Sequence, residues 1–240
     1  MITAVVLAAV AVAFGDADVE MPSAEASAVF NSRKVERGMV ENRDPVFGWE
    51  AEIGWYGFHG GFEACQDMTG INGRRGRYNE LRTAVGWESD LASWLSVGAE
   101  YAYKDMADEG HTQEVQFDVS FPNELAVPFF SANIDADKFA GAFYGTVGLR
   151  REFVTLYDCL TITPVVGIGF GNARRNTADF DCGRDAARDL HVGVESELEL
   201  YDHVFVCSWV KLYEQFTESG REAFGNGFFA LAGCALKVGF

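Results

Sequence analysis

In segment after segment of this chain, apolar side chains return at every second position, and that period restricts what the backbone can form. Between residues 78 and 89, Leu81, Thr83, Val85 and Trp87 fall on one side, while Glu80, Arg82, Ala84, Gly86 and Glu88 fall on the other. Successive side chains of a strand point to opposite faces, so this segment reads as a β-strand with one apolar face and one charged or small face. A helix would need returns at three and four positions. Residues 92–104 repeat the pattern after a very short link, with Leu95, Val97, Ala99, Tyr101 and Tyr103 set against Ser96, Gly98, Glu100 and Lys104. Strands joined so closely predict an antiparallel hairpin. Val115, Phe117, Val119 and Phe121 continue the series, as do Phe143, Val147 and Leu149 against Tyr144, Thr146 and Arg150. Leu190, Val192, Val194, Ser196 and Leu198 then face away from His191, Gly193, Glu195, Glu197 and Glu199.

The final segment is the most specific. Phe228, Ala230, Ala232, Cys234, Leu236, Val238 and Phe240 occupy alternate positions up to the last residue. This resembles the assembly signal of outer-membrane barrels, which implies recognition of the last strand by the barrel-insertion machinery, with Leu236, Val238 and Phe240 carrying it.

Outside the amino terminus no stretch reaches the ~18 uninterrupted apolar residues of a membrane-spanning helix. The longest rival, 159–173, is broken by Pro164 and by Thr and Gly. Entry into a bilayer therefore leaves a closed barrel, the only sheet that satisfies every backbone group. In a soluble sandwich the polar faces would be well mixed with Lys; here small residues and Glu dominate them, as a lumen requires. The expected fold is all-β, a closed antiparallel up-and-down transmembrane barrel of about twelve strands, with ten or eight as alternatives. The strands are read at 27–37, 46–54, 58–67, 78–89, 92–104, 113–121, 125–134, 138–151, 159–171, 187–200, 203–214 and 227–240. Longer polar connections near 38–45, 68–77, 105–112, 172–186 and 215–226 are assigned to the outer side. Trp55, Trp87 and Trp94 then gather at the periplasmic rim, and Tyr101 and Tyr103 at the outer rim.

Residues 1–15 carry no charge and end in Ala13-Phe14-Gly15, which reads as a secretory signal peptide. Residues 16–26 form a short acidic periplasmic spacer, and 27–240 a single barrel domain. Acidic residues outnumber basic ones 36 to 19, a formal charge of −17, which argues against nucleic acid as a partner. The expected partners are outer-membrane lipids, lipopolysaccharide and the assembly machinery.

The charges assigned to the lumen are Glu50, Glu52, Glu63, Glu80, Arg82, Glu88, Glu100, Lys104, Asp118, Arg150, Glu195, Glu197, Glu199, Lys211 and Lys237. Their balance is acidic, so an open lumen would favour cations; the alternative is a closed interior in which they pair. No Gly-x-Ser-x-Gly elbow or phosphate-binding loop is present, and His111, in a predicted outer loop beside Asp105, Asp108 and Glu109, is the best of four histidines for a hydrolase. The chain is therefore read as a non-enzyme without catalytic residues. Cys65, Cys159, Cys182, Cys207 and Cys234 show no metal-ligand spacing, so neither metal nor cofactor is expected. Two loops are basic, 71–78 with Arg74, Arg75 and Arg77, and 172–188 with Arg174, Arg175, Arg184 and Arg188. Such loops suit anionic lipopolysaccharide, although Asp179, Asp181, Asp185 and Asp189 in the second are expected to pair with its own arginines.

Three stretches together carry a family resemblance. They are Phe30-Asn31-Ser32-Arg33 through Arg37-Gly38, the Gly- and Trp-rich run 47–62, and Leu160-Thr161-Ile162-Thr163-Pro164 with Gly167, Gly169 and Gly171. The chain resembles the TorF-type porins over most of 27–215. The resemblance implies a small barrel, without defining its cargo, and supplies no catalytic residues.

Overall fold

A computed structural model describes residues 21–70, 75–107, 110–155, 158–180, 183–217, 221 and 227–240. The signal peptide expected at 1–15, the beginning of the spacer, and Cys182 lie outside the described residues. The strands are β1 (Ser23–Asn31), β2 (Lys34–Glu36), β3 (Met39–Asn42), β4 (Val46–Trp55), β5 (Phe58–Asp67), β6 (Tyr78–Ala92), β7 (Leu95–Met106) and β8 (Gly110–Ser120). They continue as β9 (Val127–Asp135), β10 (Phe143–Arg150), β11 (Phe153–Thr155), β12 (Leu160–Gly171), β13 (Ala186–Tyr201), β14 (Val204–Gln215) and β15 (Phe228–Gly239). One helix, α1 (Ala173–Phe180), precedes β13.

Among the described residues, twelve strands close into an antiparallel barrel. Each pairs with its neighbour in sequence from β4 to β10, then β10 with β12 and onward to β15, and β1 joins β15 to β4. The short β11 continues β10 after a break at Arg151 and Glu152 and pairs with the same β12. Pro164 is tolerated in β12 because its carbonyl takes the Arg151 N–H, at 3.2 Å, at that break, where the missing proline donor would also point.

Two-residue turns link strands at the end that holds both termini. Tyr56-Gly57, with φ of 50° and 77°, joins β4 to β5, and Asp202-His203 joins β13 to β14. In Tyr56-Gly57 the left-handed values at both central residues give the turn whose twist matches a hairpin, while in the second turn His203 alone is left-handed, with φ of 65°. The longer loops lie at the opposite end, the one expected to face outward. The alternation sets the wall: Val85 (62% exposed) and Leu236 (50%) face outward on β6 and β15, while Glu80 and Lys104 are buried inside. Phe240 is exposed at the inner rim, next to Ala24.

Three details differ from the sequence reading. The first strand starts at Ser23 and stops at Asn31, and 34–42, assigned partly to that strand and partly to an outer loop, make the separate hairpin β2–β3 folded into the lumen. The expected outer loop 105–112 is mostly strand, because β7 runs to Met106 and β8 starts at Gly110, whose φ is 77°. His111 therefore belongs to β8, stacked on Tyr103 and 3.9 Å from Asp137. A rim contact of this kind anchors the strand end.

Candidate functional site

The interior divides along the barrel axis. Its outer half is crossed by the β2–β3 hairpin. The turn Arg37-Gly38, with φ of 50° and 71°, is of the type that Gly permits at its second position. This tip reaches β13 and β14: the Gln215 side-chain amide donates to the Gly38 carbonyl at 2.5 Å, and Gly38 lies so close to Asp189 that a Cβ there would collide with the carboxylate. The other flank of the hairpin faces β6, β7 and β8. Lys34 contacts Glu80 and lies 3.0 Å from Glu41. Arg37 bridges Glu36, at 2.5 Å, and Glu114. Lys104 completes the circuit with Glu36 and, at 2.9 Å, Glu114. The hairpin is thus tied to β6, β7 and β8 by charges that have lost most of their water, and to the opposite wall by the Gln215 amide; breaking one partner of such an ion pair costs about 3–5 kcal/mol.

Helix α1 contributes Arg175, Ala178 and Asp179 to the lining of the lumen near the hairpin. Asn172 caps it, its side-chain oxygen accepting the Arg175 N–H at 2.9 Å. Inside the wall, Asp179 serves both Arg188, at 2.6 Å, and Arg175, at 3.3 Å. Two of the arginines expected to face lipopolysaccharide are therefore turned inward and buried, and the loop does pair with its own carboxylates. Beneath them, Asp189 accepts from Tyr144 Oη at 3.1 Å and lies 3.3 Å from His191 Nδ1. Three glycines of β12 make room for this layer. A Cβ at Gly167 would meet His191, one at Gly169 would meet Asp189 and Tyr144, and one at Gly171 would meet Asn176. The Gly-x-Gly-x-Gly run, read above as part of a loose family pattern, is a packing requirement.

The inner half is open. A cavity of 990 Å³ is lined by Glu52, Glu88, Asp90, Glu100 and Asp118 with His59 and Arg150. A second chamber of 350 Å³ lies against the hairpin and shares Glu100 and Gln116 with the first. A third, of 630 Å³, lies near the outer end and shares Lys34, Arg37, Glu80 and Glu114 with the second. The chambers adjoin in series from the inner mouth to the base of α1.

Each charge assigned to the lumen has a position in this arrangement. Glu80, Lys104, Glu100 and Arg82 surround the middle chamber, with Arg82 paired to Glu100. Glu50, Glu52 and Glu63 line a side recess with Glu25. Glu88, Asp118 and Arg150 face the wide inner cavity. Glu195 pairs with Lys211 at 2.6 Å and Glu197 with Lys237 at 2.5 Å, while Glu199 is exposed near the inner end of β13. The three-glutamate row is therefore partly neutralised by β14 and β15, and the free carboxylates lie across the lumen. Sequence reasoning missed Lys34, Glu36, Arg37, Glu114, Asp67 and Asp135, whereas Asp179 pairs with the arginines of its own loop as expected. The Arg37-Gly38 turn and the Asn172 cap were the available signals. Cys65 is buried and Cys207 faces the lumen beside Glu197, while Cys159 and Cys234 are exposed.

Of the shifted groups in the hairpin, the Glu41 carboxyl is the one moved into the neutral pH range. Burial first, and then Glu36 and Glu80, push the Glu41 carboxyl up to about 8, against Lys34 and Arg37. A carboxyl raised above its unfolded value of about 4.3 contributes fully to hairpin docking below that value, and the contribution fades as pH climbs through the folded value. Docking is expected to loosen between about pH 5 and 8. Conductance followed over that window should rise, and Glu41→Gln should flatten the curve; a flat wild-type profile would remove Glu41 from the account.

No protein-family model matches the chain, and no curated protein matches it. Among solved structures its fold is similar to that of the KdgM porin, with a TM-score of 0.54 and 8% identity, covering 91% of this chain and 99% of that one. It is similar also to the NanC porin, TM-score 0.51 and 8% identity over 90% of this chain and 98% of that one. A structure of the KdgM porin in complex with disordered oligogalacturonate gives 0.50 at 7% identity, over 91% and 98%. At these identities the likeness is one of fold: a small porin-like barrel.

Proposed function

We propose that this chain is an outer-membrane channel of porin type, reached by export, which passes small neutral or cationic solutes and is narrowed near its outer end by its own first loop. The observation that carries this reading is the series of adjoining polar chambers inside a closed wall; a purely structural barrel would fill that volume with side chains. The porin names of the similar structures and the resemblance to TorF-type porins point the same way.

The selectivity follows from which charges stay free. Glu52, Glu88 and Asp118 make no ion pair among the described residues, and they face the widest part of the lumen. Fixed carboxylates around a wet lumen raise the local cation concentration and repel anions. A polycarboxylate such as oligogalacturonate would meet like charge at this mouth.

The test is single-channel recording of the refolded protein in planar bilayers under a salt gradient. Cation-selective steps are expected, and the combined change Glu52→Gln, Glu88→Gln and Asp118→Asn should move the reversal potential towards zero. Neutralising Glu195 and Glu197 should act less, or in the opposite sense, because it releases Lys211 and Lys237. A folded barrel with no conductance at any pH would sink the channel reading and leave a closed barrel whose outer loops bind surface ligands.

A further inference from the structure

The chamber nearest the outer end has features that conduction does not use. Arg175, on α1, is 3% exposed and lines it; Nη1 is engaged by Asp179, while Nε and Nη2 have no acceptor. Nε and Nη2 lie on one edge of the guanidinium and form the fork that grips a carboxylate through two parallel bonds. Asp67, at the end of β5 and 1% exposed, lines the same chamber. Its Oδ1 accepts from the side-chain amides of Asn42 and Asn79, the latter at 2.6 Å, while Oδ2 meets no donor. Asn79 Oδ1, beside it, is also unmatched.

Buried polar atoms are nearly always matched, and each exception in an enclosed space calls for a partner. Here one set is all donor and the other all acceptor, in one volume of 630 Å³, within the size range of small-molecule sites. We infer that this chamber is a binding site for a small zwitterion of amino-acid to dipeptide size, with its carboxylate on the Arg175 fork and its ammonium on Asp67 Oδ2 and Asn79 Oδ1. The alternatives fit less well. A simple anion would satisfy Arg175 but face Asp67, Glu41, Glu80, Glu114 and Asp135 around the same walls. A simple cation would leave Arg175 unmatched beside Arg37. Burial, followed by Arg37, already holds the Arg175 guanidinium below its ordinary value, so a carboxylate there relieves a strain that Asp179, shared with Arg188, relieves only in part. Occupancy does not require that the barrel conduct, so the site is tested separately from the channel.

The probe is alanyl-alanine, titrated into the refolded full chain in detergent by calorimetry, alongside its N-acetyl and C-terminal amide derivatives. The dipeptide should bind, and each blocked derivative should bind at least about tenfold more weakly, since each loses one charged end. Arg175→Met should abolish the dipeptide's advantage over the amide, and Asp67→Asn its advantage over the N-acetyl form. Because Arg175 also braces α1, the Asp67 variant, which keeps its shape and amide contacts, decides the matter if the Arg175 variant fails to fold. No heat with any probe, equal affinity for all three, or a wild-type pattern in the Asp67 variant would overturn the site and leave water as the occupant.

Discussion

Excising residues 33–43 and joining Ser32 to Asp44 through a short Gly-Ser linker raises the unitary conductance several-fold and removes its dependence on pH between 5 and 8. The hairpin is the element that crosses the lumen, and its removal turns the middle and outer chambers into one passage bounded by the wall and α1. The barrel survives the excision because β1 and β4 pair with each other along their full length, from Ser23 opposite Gly54 to Asn31 opposite Val46, without help from the hairpin. The wall then keeps Glu80, Lys104 and Glu114, with water in place of the lost partners. Recording excised and intact proteins side by side is decisive: equal conductance would mean that the narrowing lies elsewhere. Heat-modified mobility in gels reports separately whether the excised protein still folds.

The second large effect belongs to stability. Gly169→Val inserts a branched side chain where Asp189 and Tyr144 already press against the backbone. Crowding alone costs about 1–3 kcal/mol. Displacing Asp189 from Tyr144 and His191 strands a buried carboxylate, for a further penalty on the order of 3 kcal/mol. A lowered denaturant midpoint and a lower yield of the compact, heat-modifiable form are expected. Gly60→Ala is the control, because Gly60 faces outward and the nearest atom to its new Cβ, the Ala84 carbonyl oxygen, is 3.9 Å away. If the two variants unfold alike, the close-packing account of the glycine column is wrong.

The wall was legible in the sequence and the contents of the lumen were not, for one physical reason. A strand between lipid and lumen has two unlike surroundings, so β13 writes Leu190, Val192 and Val194 on one parity and His191, Gly193 and Glu195 on the other. The hairpin at 34–42 meets polar partners on every side. Lys34, Glu36, Arg37 and Glu41 thus leave no apolar parity to read, and the segment resembles an ordinary solvated loop. Helix α1 is obscured in the same way: Ala-Arg-Arg-Asn-Thr-Ala-Asp-Phe has no apolar stripe, because the surface it covers is itself charged. The acidic character of the lumen was readable from the inward parity, whereas the pairing of Glu195 with Lys211 and Glu197 with Lys237 depends on register across strands. The unmatched edge of Arg175 depends on where one loop folds back, which no periodicity records.

The placement of the plug also constrains the order in which the molecule is built. The hairpin lies between the first two wall strands, yet the side chains that hold it belong to β6, β7, β8, β13 and β14, and the Gln215 amide reaches Gly38 across 177 positions of the chain. Contacts so remote in sequence form late, after the intervening loops have closed. The contacts to β6, β7 and β8 can form before the carboxy-terminal strands join the wall, whereas the hold on the hairpin tip by β13 and β14 cannot. The grip on the hairpin tip is thus complete only in a barrel that has closed.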